Sequence, residues 1–256
     1  MSTRKTAAVL AIGDEILSGR TRDSNIHFLA KWLTERGVVL NEARIVGDEI
    51  DDIASALNGL RARYDYVFTS GGIGPTHDDI TVDAIATAFG VKVVAHPRAV
   101  KLITNWYQSR GEEVTDARLR MARTPAGAIL IENKISGAPG VRIENVFVMA
   151  GVPRIFKAML NAVEDEIHKG ALLHSRAATA RNLPESTLAE QLREIQAALK
   201  DVSIGSYPID GDEKGVTIVA RSESAETAEA AIHAVSAAMR ALGFEPELCD
   251  RKVNDQ

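Results

Sequence analysis

Three short apolar runs near the N-terminus each end in acids. Thr6–Ile12 gives way to Gly13, Asp14 and Glu15, and a run ending at Val46 gives way to Gly47, Asp48 and Glu49. A third, ending at Thr69, leads through Ser70, Gly71, Gly72, Ile73, Gly74, Pro75, Thr76 and His77 to Asp78 and Asp79. Glycines at 71, 72 and 74 open backbone conformations closed to other residues and let N–H groups approach an anionic ligand. A helix opening after the loop adds a dipole that favours phosphate. Carboxylates repel phosphate unless a cation lies between them, and Mg²⁺ typically takes one or two carboxylates plus substrate phosphates. The pattern reads as a site for a phosphorylated ligand with a divalent cation. Each acid taken singly also fits a helix-capping role. The loop is not a Walker A sequence, because no Gly-Lys-Ser/Thr follows, nor the dinucleotide fingerprint, which belongs after a first strand. His77 fits a loop histidine bonded to backbone better than an acid–base group, and histidines 27, 96, 168, 174 and 233 show no ligand spacing. Only Arg20 and Arg22 are expected near the cleft.

These residues need a frame that brings them together. Strands at Thr6 to Ile12, Val38 to Val46, Tyr64 to Thr69 and Val91 to Ala95 alternate with amphipathic helices, which predicts a doubly wound, mostly parallel α/β sheet. Helices are expected after Ser24 as cap, from Asp51 or Asp52, over Thr81 to Phe89, as a pair within Pro97 to Arg123, and from Pro153 to about Lys169. Strands are expected at Ala128 to Ile131 and Val146 to Met149. In a parallel sheet the loops leaving the strands' C-terminal ends share one edge, where such sheets bind ligands, so the three acidic loops should converge. A boundary near Gly170 separates a domain over residues 1–170 from a small α+β domain over 171–256.

Composition narrows the class. The chain has 256 residues, 45% hydrophobic and 5% aromatic, enough for a sizeable core rich in Ala, Val, Ile and Leu. One cysteine, Cys249, excludes a disulfide scaffold or a Cys-based zinc site and reads as a free thiol. No apolar run approaches the length that spans a bilayer, and a cytoplasmic protein is expected. The net charge is −5; residues 1–170 carry 21 basic and 21 acidic residues, and residues 171–256 carry 9 and 14. Neither part has the basic excess of a nucleic-acid binder.

Several motifs, in order and with close spacing, resemble a known family: Ile12 to Gly19, Asp23-Ser24-Asn25, Val46-Gly47-Asp48, Gly71 to Thr81, Ser136-Gly137-Ala138-Pro139-Gly140 and Gly151-Val152-Pro153. Together they resemble the molybdopterin-binding (MoaB/Mog-like) domain of CinA-type competence/damage-inducible proteins over about residues 6–170. The tail is similar to the KH-like α+β domain of those proteins through Leu183 to Ser186, Leu188 and Ile204 to Pro208. Many relatives continue into a nicotinamide-nucleotide amidase domain for which this chain has no room, so amidase activity is expected to be absent. The family's usual Pro-Gly-Val-Pro stands here as Ala150 to Pro153, followed by Arg154 and Ile155 in place of the common acid. No basic GxxG clamp accompanies the KH-like pattern, so the tail is expected to serve dimerisation or to cover a substrate, not to bind RNA.

The resemblance implies a metal-dependent pyrophosphatase acting on ADP-ribose or an FAD-like dinucleotide, with Mg²⁺ or Co²⁺. It implies, alternatively, a molybdopterin adenylyltransferase-like protein, or a module that holds a pterin or nucleotide without turnover. By position, Asp48 and Asp79 match the acids assigned to metal and nucleotide, with help from Asp78 or Asp14. Gly71, Gly72 and Gly74 match the phosphate loop, flanked by Ser70, Pro75, Thr76 and Thr81. Gly13, Asp14, Glu15 and Asn25 match the pocket around the first strand, and Ser136, Gly137, Gly140, Gly151 and Pro153 complete the ligand-binding set. The resemblance also implies a homo-oligomer with a small-molecule ligand.

Overall fold

A computed structural model describes residues 4–209 and 214–249. The chain divides into two compact units that meet in sequence at Gly170 and Ala171. The first unit runs β1 (Thr6–Ile12), α1 (Asp14–Leu17), α2 (Asn25–Thr34), β2 (Val39–Val46), α3 (Ile50–Arg61), β3 (Tyr66–Ser70), α4 (Thr81–Phe89) and β4 (Val93–Ala95). It continues through α5 (Pro97–Gln108), α6 (Asp116–Arg120), β5 (Arg123–Pro125), β6 (Ile129–Ile131), β7 (Gly140–Ile143), β8 (Val146–Met149) and α7 (Pro153–Ala162).

Six strands form one sheet in the order β2-β1-β3-β8-β7-β6. The pairings β1–β2, β1–β3 and β3–β8 are parallel, and β8–β7 and β7–β6 are antiparallel. Strand β1 is apolar from Ala7 onward, as befits a strand with helices on both of its faces. Ala7 and Val9 pack with Leu29, Leu33, Phe156 and Leu160 of α2 and α7, while Ala8, Leu10 and Ile12 pack with Ile53, Leu57, Ala84 and Ile85 of α3 and α4. This three-layer arrangement is the expected doubly wound sheet, with an antiparallel margin added at β7 and β6.

Local differences have local causes. The Ser24 side chain makes no capping bond at α2; Asp23 Oδ1 instead accepts from the Ile26 N–H at 2.9 Å. Helix α3 starts at Ile50, with Glu49 in the capping position, so Asp51 and Asp52 fall in its first turn. Helix α7 begins at Pro153 as expected but ends at Ala162, followed by a 3₁₀ turn over Glu164–Glu166. Strand β4 leaves the main sheet: Val94 is exposed, and β4 pairs with β5 in a two-stranded antiparallel ribbon. Strand β7 was not separated from the glycine-bearing segment in the sequence, because Gly140 reads as a turn residue.

The second unit contains β9 (His174–Arg181), α8 (Ala189–Ala198), β10 (Ser203–Ile209), β11 (Gly215–Ser222), α9 (Ala225–Ala241) and β12 (Glu247–Cys249). Its antiparallel sheet has the order β10-β11-β9-β12. Ala228, Ala231, Ile232, Val235 and Met239 of α9 are buried along one stripe at helical spacing. The Cys249 side chain lies outside the described residues. No helix among the described residues is long and apolar enough to cross a membrane.

Candidate functional site

The parallel register brings the ends of β1, β2 and β3 to one sheet edge, since Ile12 aligns with Val46 and Ala11 with Ser70. Two of the three acidic loops interlock directly. The Gly13 N–H donates to Val46 O at 3.1 Å, and the Asp14 N–H donates to Asp48 Oδ2 at 3.0 Å. Burial raises the Asp48 pKa most. The bond from the Asp14 N–H opposes that shift, and the negative charges of Asp14, Glu15 and Asp78 add to it. The charges of three carboxylates from the neighbouring loops thus reach Asp48, whose side chain also caps the first N–H of α1 from across the edge.

The glycine loop is held from below. Gly71 has φ 116°, and a Cβ there would stand 2.2 Å from the Ile12 carbonyl oxygen. Gly72 has φ 65°, with Thr81 Oγ1 in the equivalent place at 2.2 Å. Only glycine lets the loop pass this close to β1 and α4. Thr81, fully buried, donates its hydroxyl to Gly71 O at 2.9 Å and its N–H to Gly72 O at 3.0 Å. Its polar groups therefore fasten the loop and are spent on it.

Asn25 closes the floor. Its Nδ2 donates to Ser70 Oγ at 2.8 Å and to Gly151 O at 2.7 Å, while the buried Oδ1 has no protein partner. The Gly151 carbonyl can only accept, which fixes the amide orientation. One side chain of α2 thereby ties the end of β3 to the turn before α7. Asn25→Ala leaves both acceptors without this donor and is expected to cost about 2 kcal/mol in denaturant melts. An unchanged midpoint would show that the floor does not depend on this tie.

Asp79 is placed differently from expectation. Its Oδ1 accepts from the Gly74 N–H at 2.6 Å, and its Oδ2 accepts from the N–H and hydroxyl of Thr76 at 2.8 and 2.5 Å. The Gly71 N–H is bonded to Met149 O at 3.1 Å. The loop donors expected to receive phosphate at Gly71, Gly74 and Thr76 are therefore engaged within the protein. Asp79 is also not among the charges acting on Asp48, whereas Asp78 is. The reason is local: a carboxylate five residues after Gly74 satisfies the donors of a tight turn at little entropic cost. Among the described residues, no three of His, Cys, Asp and Glu are disposed to hold a metal ion.

The remaining expected residues divide. Pro75, Thr76 and His77 are exposed on the loop. Ser136 caps onto Asn133, whose Oδ1 accepts from the N–H groups of Ile135 and Ser136 at 3.0 and 2.9 Å and whose Nδ2 donates to Ala138 O. Gly137 packs against the Trp106 ring of α5, and Pro153 is the first residue of α7. Gly140 instead reaches the glycine loop: together with Gly74 and Asp79 it borders a small cavity that opens to solvent. Arg120 and Arg123 border the same cavity, whereas Arg20 and Arg22 are exposed. The expectation that Arg20 and Arg22 are the only arginines near the cleft is thus corrected. Nothing in the sequence links Arg120 and Arg123, at the end of the expected helix pair, to a loop some forty residues earlier.

A three-layer α/β unit with a glycine loop and converging acids at one strand edge defines the class of domain, and the comparisons give its family. Residues 8–169 match the family described as a probable molybdopterin binding domain, and residues 174–246 match the middle domain of FAD synthase. A protein of Pyrococcus furiosus is 36% identical over 239 residues, spanning 88% of this chain and 94% of its own length. A probable FAD synthase of Caenorhabditis elegans is 34% identical over 258 residues, and this chain spans 49% of it. The crystal structure of a CinA protein of unknown function from Thermoplasma acidophilum superposes with a TM-score of 0.59 at 34% identity, covering 64% of this chain and 98% of that one. The chain belongs to the MoaB/Mog-like molybdopterin-binding domain family, in its CinA-type form.

Proposed function

We propose that the chain is a divalent-cation-dependent nucleotide pyrophosphatase acting on ADP-ribose or a related, FAD-like dinucleotide, working as a cytoplasmic homo-oligomer. The observation that carries this reading is the joining of two acidic loops at the strand edge beside the glycine loop, where the Asp14 N–H donates to the half-buried Asp48 carboxylate at 3.0 Å. Hard oxygen donors of this kind suit Mg²⁺ or Co²⁺. Asp48 with Asp14 or Asp78 would hold the ion, and the ligand's phosphates would complete its coordination. Asp79 would join them only on leaving Gly74 and Thr76. When bound, the cation supplies positive charge against the charge that develops on a cleaved pyrophosphate. Asp48, ionised, would orient water toward one phosphorus; the bridging oxygen would leave with the other phosphate, giving AMP and ribose 5-phosphate from ADP-ribose. The match of residues 174–246 to a domain of FAD synthase supports a dinucleotide of the FAD type.

A second reading, molybdopterin binding with adenylyl transfer or without turnover, has its own support. The match over residues 8–169 is to a probable molybdopterin binding domain, and Asp79 is engaged within its own loop. Product analysis separates the two. ADP-ribose, FAD and NAD are incubated with the protein and Mg²⁺ or Co²⁺, and again with EDTA. Metal-dependent AMP release is expected from at least one of them. No turnover, together with a thermal shift by ligand, would move the assignment to the second reading. Asp79→Asn is a poor test, because it removes the clamp on the loop along with any ligand role; Asp48 is the informative position.

A further inference from the structure

The cavity beside the glycine loop carries positive charge that the reading above does not use. Its walls include Gly74 and Asp79 from the loop, Arg120 from the end of α6, Arg123 from β5, and apolar side chains such as Ile73 and Val148. None of Asp14, Glu15, Asp48 and Asp78 lines it. The two arginines differ in state. Arg123 is ion-paired with Asp83 of α4. Arg120 forms no ion pair among the described residues: its terminal nitrogen lies 3.5 Å from the Asp79 carbonyl oxygen, and its Nε is buried without an acceptor. A guanidinium cannot shed its proton, and its planar fork matches two oxygens of a phosphate. Against apolar walls that charge is poorly solvated, so an oxyanion seated there is held more strongly than at an open surface.

We propose that this cavity is an oxyanion subsite in which Arg120 takes phosphate oxygens of the ligand. Arg123 borders the same wall, but its charge is offset by the ion pair with Asp83, which leaves Arg120 as the arginine available to an anion. This proposal rests on the reading of the ligand as a phosphorylated small molecule, and it assigns the phosphate to a place where the loop alone does not hold it. With the N–H groups of Gly74 and Thr76 engaged by Asp79, the arginine does the work that backbone donors do in other glycine loops. The acidic edge would then receive a cation while the arginine wall receives an anion, one on each part of a single loop. A phosphomonoester and a pyrophosphate share this chemistry, and the probes distinguish them.

The test is calorimetric titration of inorganic pyrophosphate and of AMP into the whole chain in EDTA, so that no metal contributes. The wild type is expected to bind at least one of them, and the better probe tells which phosphate chemistry the cavity takes. Arg120→Ala and the more conservative Arg120→Gln are expected to weaken binding by about tenfold or more, with Arg120→Lys between them and the wild type. Arg98→Ala, which removes a surface charge paired with Glu132, is expected to change nothing. Thermal melts accompany each variant, and Arg120→Gln and Arg120→Lys serve where alanine disturbs the fold. Wild type that binds neither probe, Arg120→Gln that binds as tightly as wild type, or an equal loss in Arg98→Ala would each overturn the subsite. Turnover of ADP-ribose stands apart from these outcomes. AMP release with undiminished binding in Arg120→Gln would overturn the subsite alone. Binding through Arg120 without turnover would overturn the hydrolase reading alone.

Discussion

Replacing Gly71 by alanine is expected to cost on the order of 3 kcal/mol of folding stability and to abolish ligand binding. Two independent penalties combine at this position. The backbone lies at φ 116°, where an L side chain is strained, and the added methyl would stand 2.2 Å from the Ile12 carbonyl oxygen. That oxygen belongs to the central strand β1, which is buried on both faces and cannot yield. The loop would have to lift, and it would then lose the Thr81 hydroxyl bond to Gly71 O and the Gly71 N–H bond to Met149 O. Urea melts measure the first effect and ligand thermal shifts the second. Gly90→Ala is a control for left-handed backbone alone: Gly90 has φ 65° and nothing within 4 Å of the added Cβ. A Gly71→Ala protein no less stable than Gly90→Ala would show that contact with β1 does not set the loop.

Asp48→Asn is expected to separate stability from activity. On the proposed reading turnover should fall by about 10²–10³-fold, since the substitution removes the carboxylate assigned to the cation. In EDTA the same variant should be more stable by ~0.5–1 kcal/mol, because it removes a charge that burial first, and the negative charges of Asp14, Glu15 and Asp78 second, disfavour. The asparagine carbonyl still accepts from the Asp14 N–H, so the link between the two loops survives. The pH dependence has a definite sign. The Asp48 pKa is raised in the folded state, so the folded protein holds this proton more tightly than the unfolded chain. Its ionisation therefore lowers stability as pH rises through the window from the usual carboxylate value to the raised one. The advantage of the variant should be full above that window and vanish below it. Melts in EDTA at acid and neutral pH check this, and an Asp48→Asn protein with wild-type turnover would remove Asp48 from the site.

The sequence made some parts of this molecule plain and concealed others, and the division follows how far apart interacting residues lie. Strand β1 and helix α4 have the limits expected, Thr6–Ile12 and Thr81–Phe89, because each is an apolar pattern bounded by charge or glycine. The convergence of the acidic loops followed from parallel pairing alone. Strand β4 misled because its partner β5 lies across two helices, and a half-exposed three-residue strand carries no mark of the sheet to which it belongs. Asp79 misled for the opposite reason. Its partners are only three and five residues away, but a hydrogen-bonded turn of that kind depends on side-chain direction, which spacing does not encode. Arg120 was invisible because nothing in a helix-end arginine reports a loop brought to it by tertiary folding.

The position of β8 in the sheet bears on how the chain comes to be folded. This strand, residues 146–149, lies between β3 and β7, and its pairing with β3 is parallel. During synthesis β3 is complete long before β8 is made, so its outer edge waits with N–H and C=O groups unpaired across the intervening residues. Such an edge invites pairing with other chains. Asn25 waits in the same way, since its acceptor at Gly151 lies 126 residues further on. The candidate site is therefore expected to be among the last parts of the first unit to assemble, and chains truncated before Val146 are expected to aggregate more readily than the whole unit.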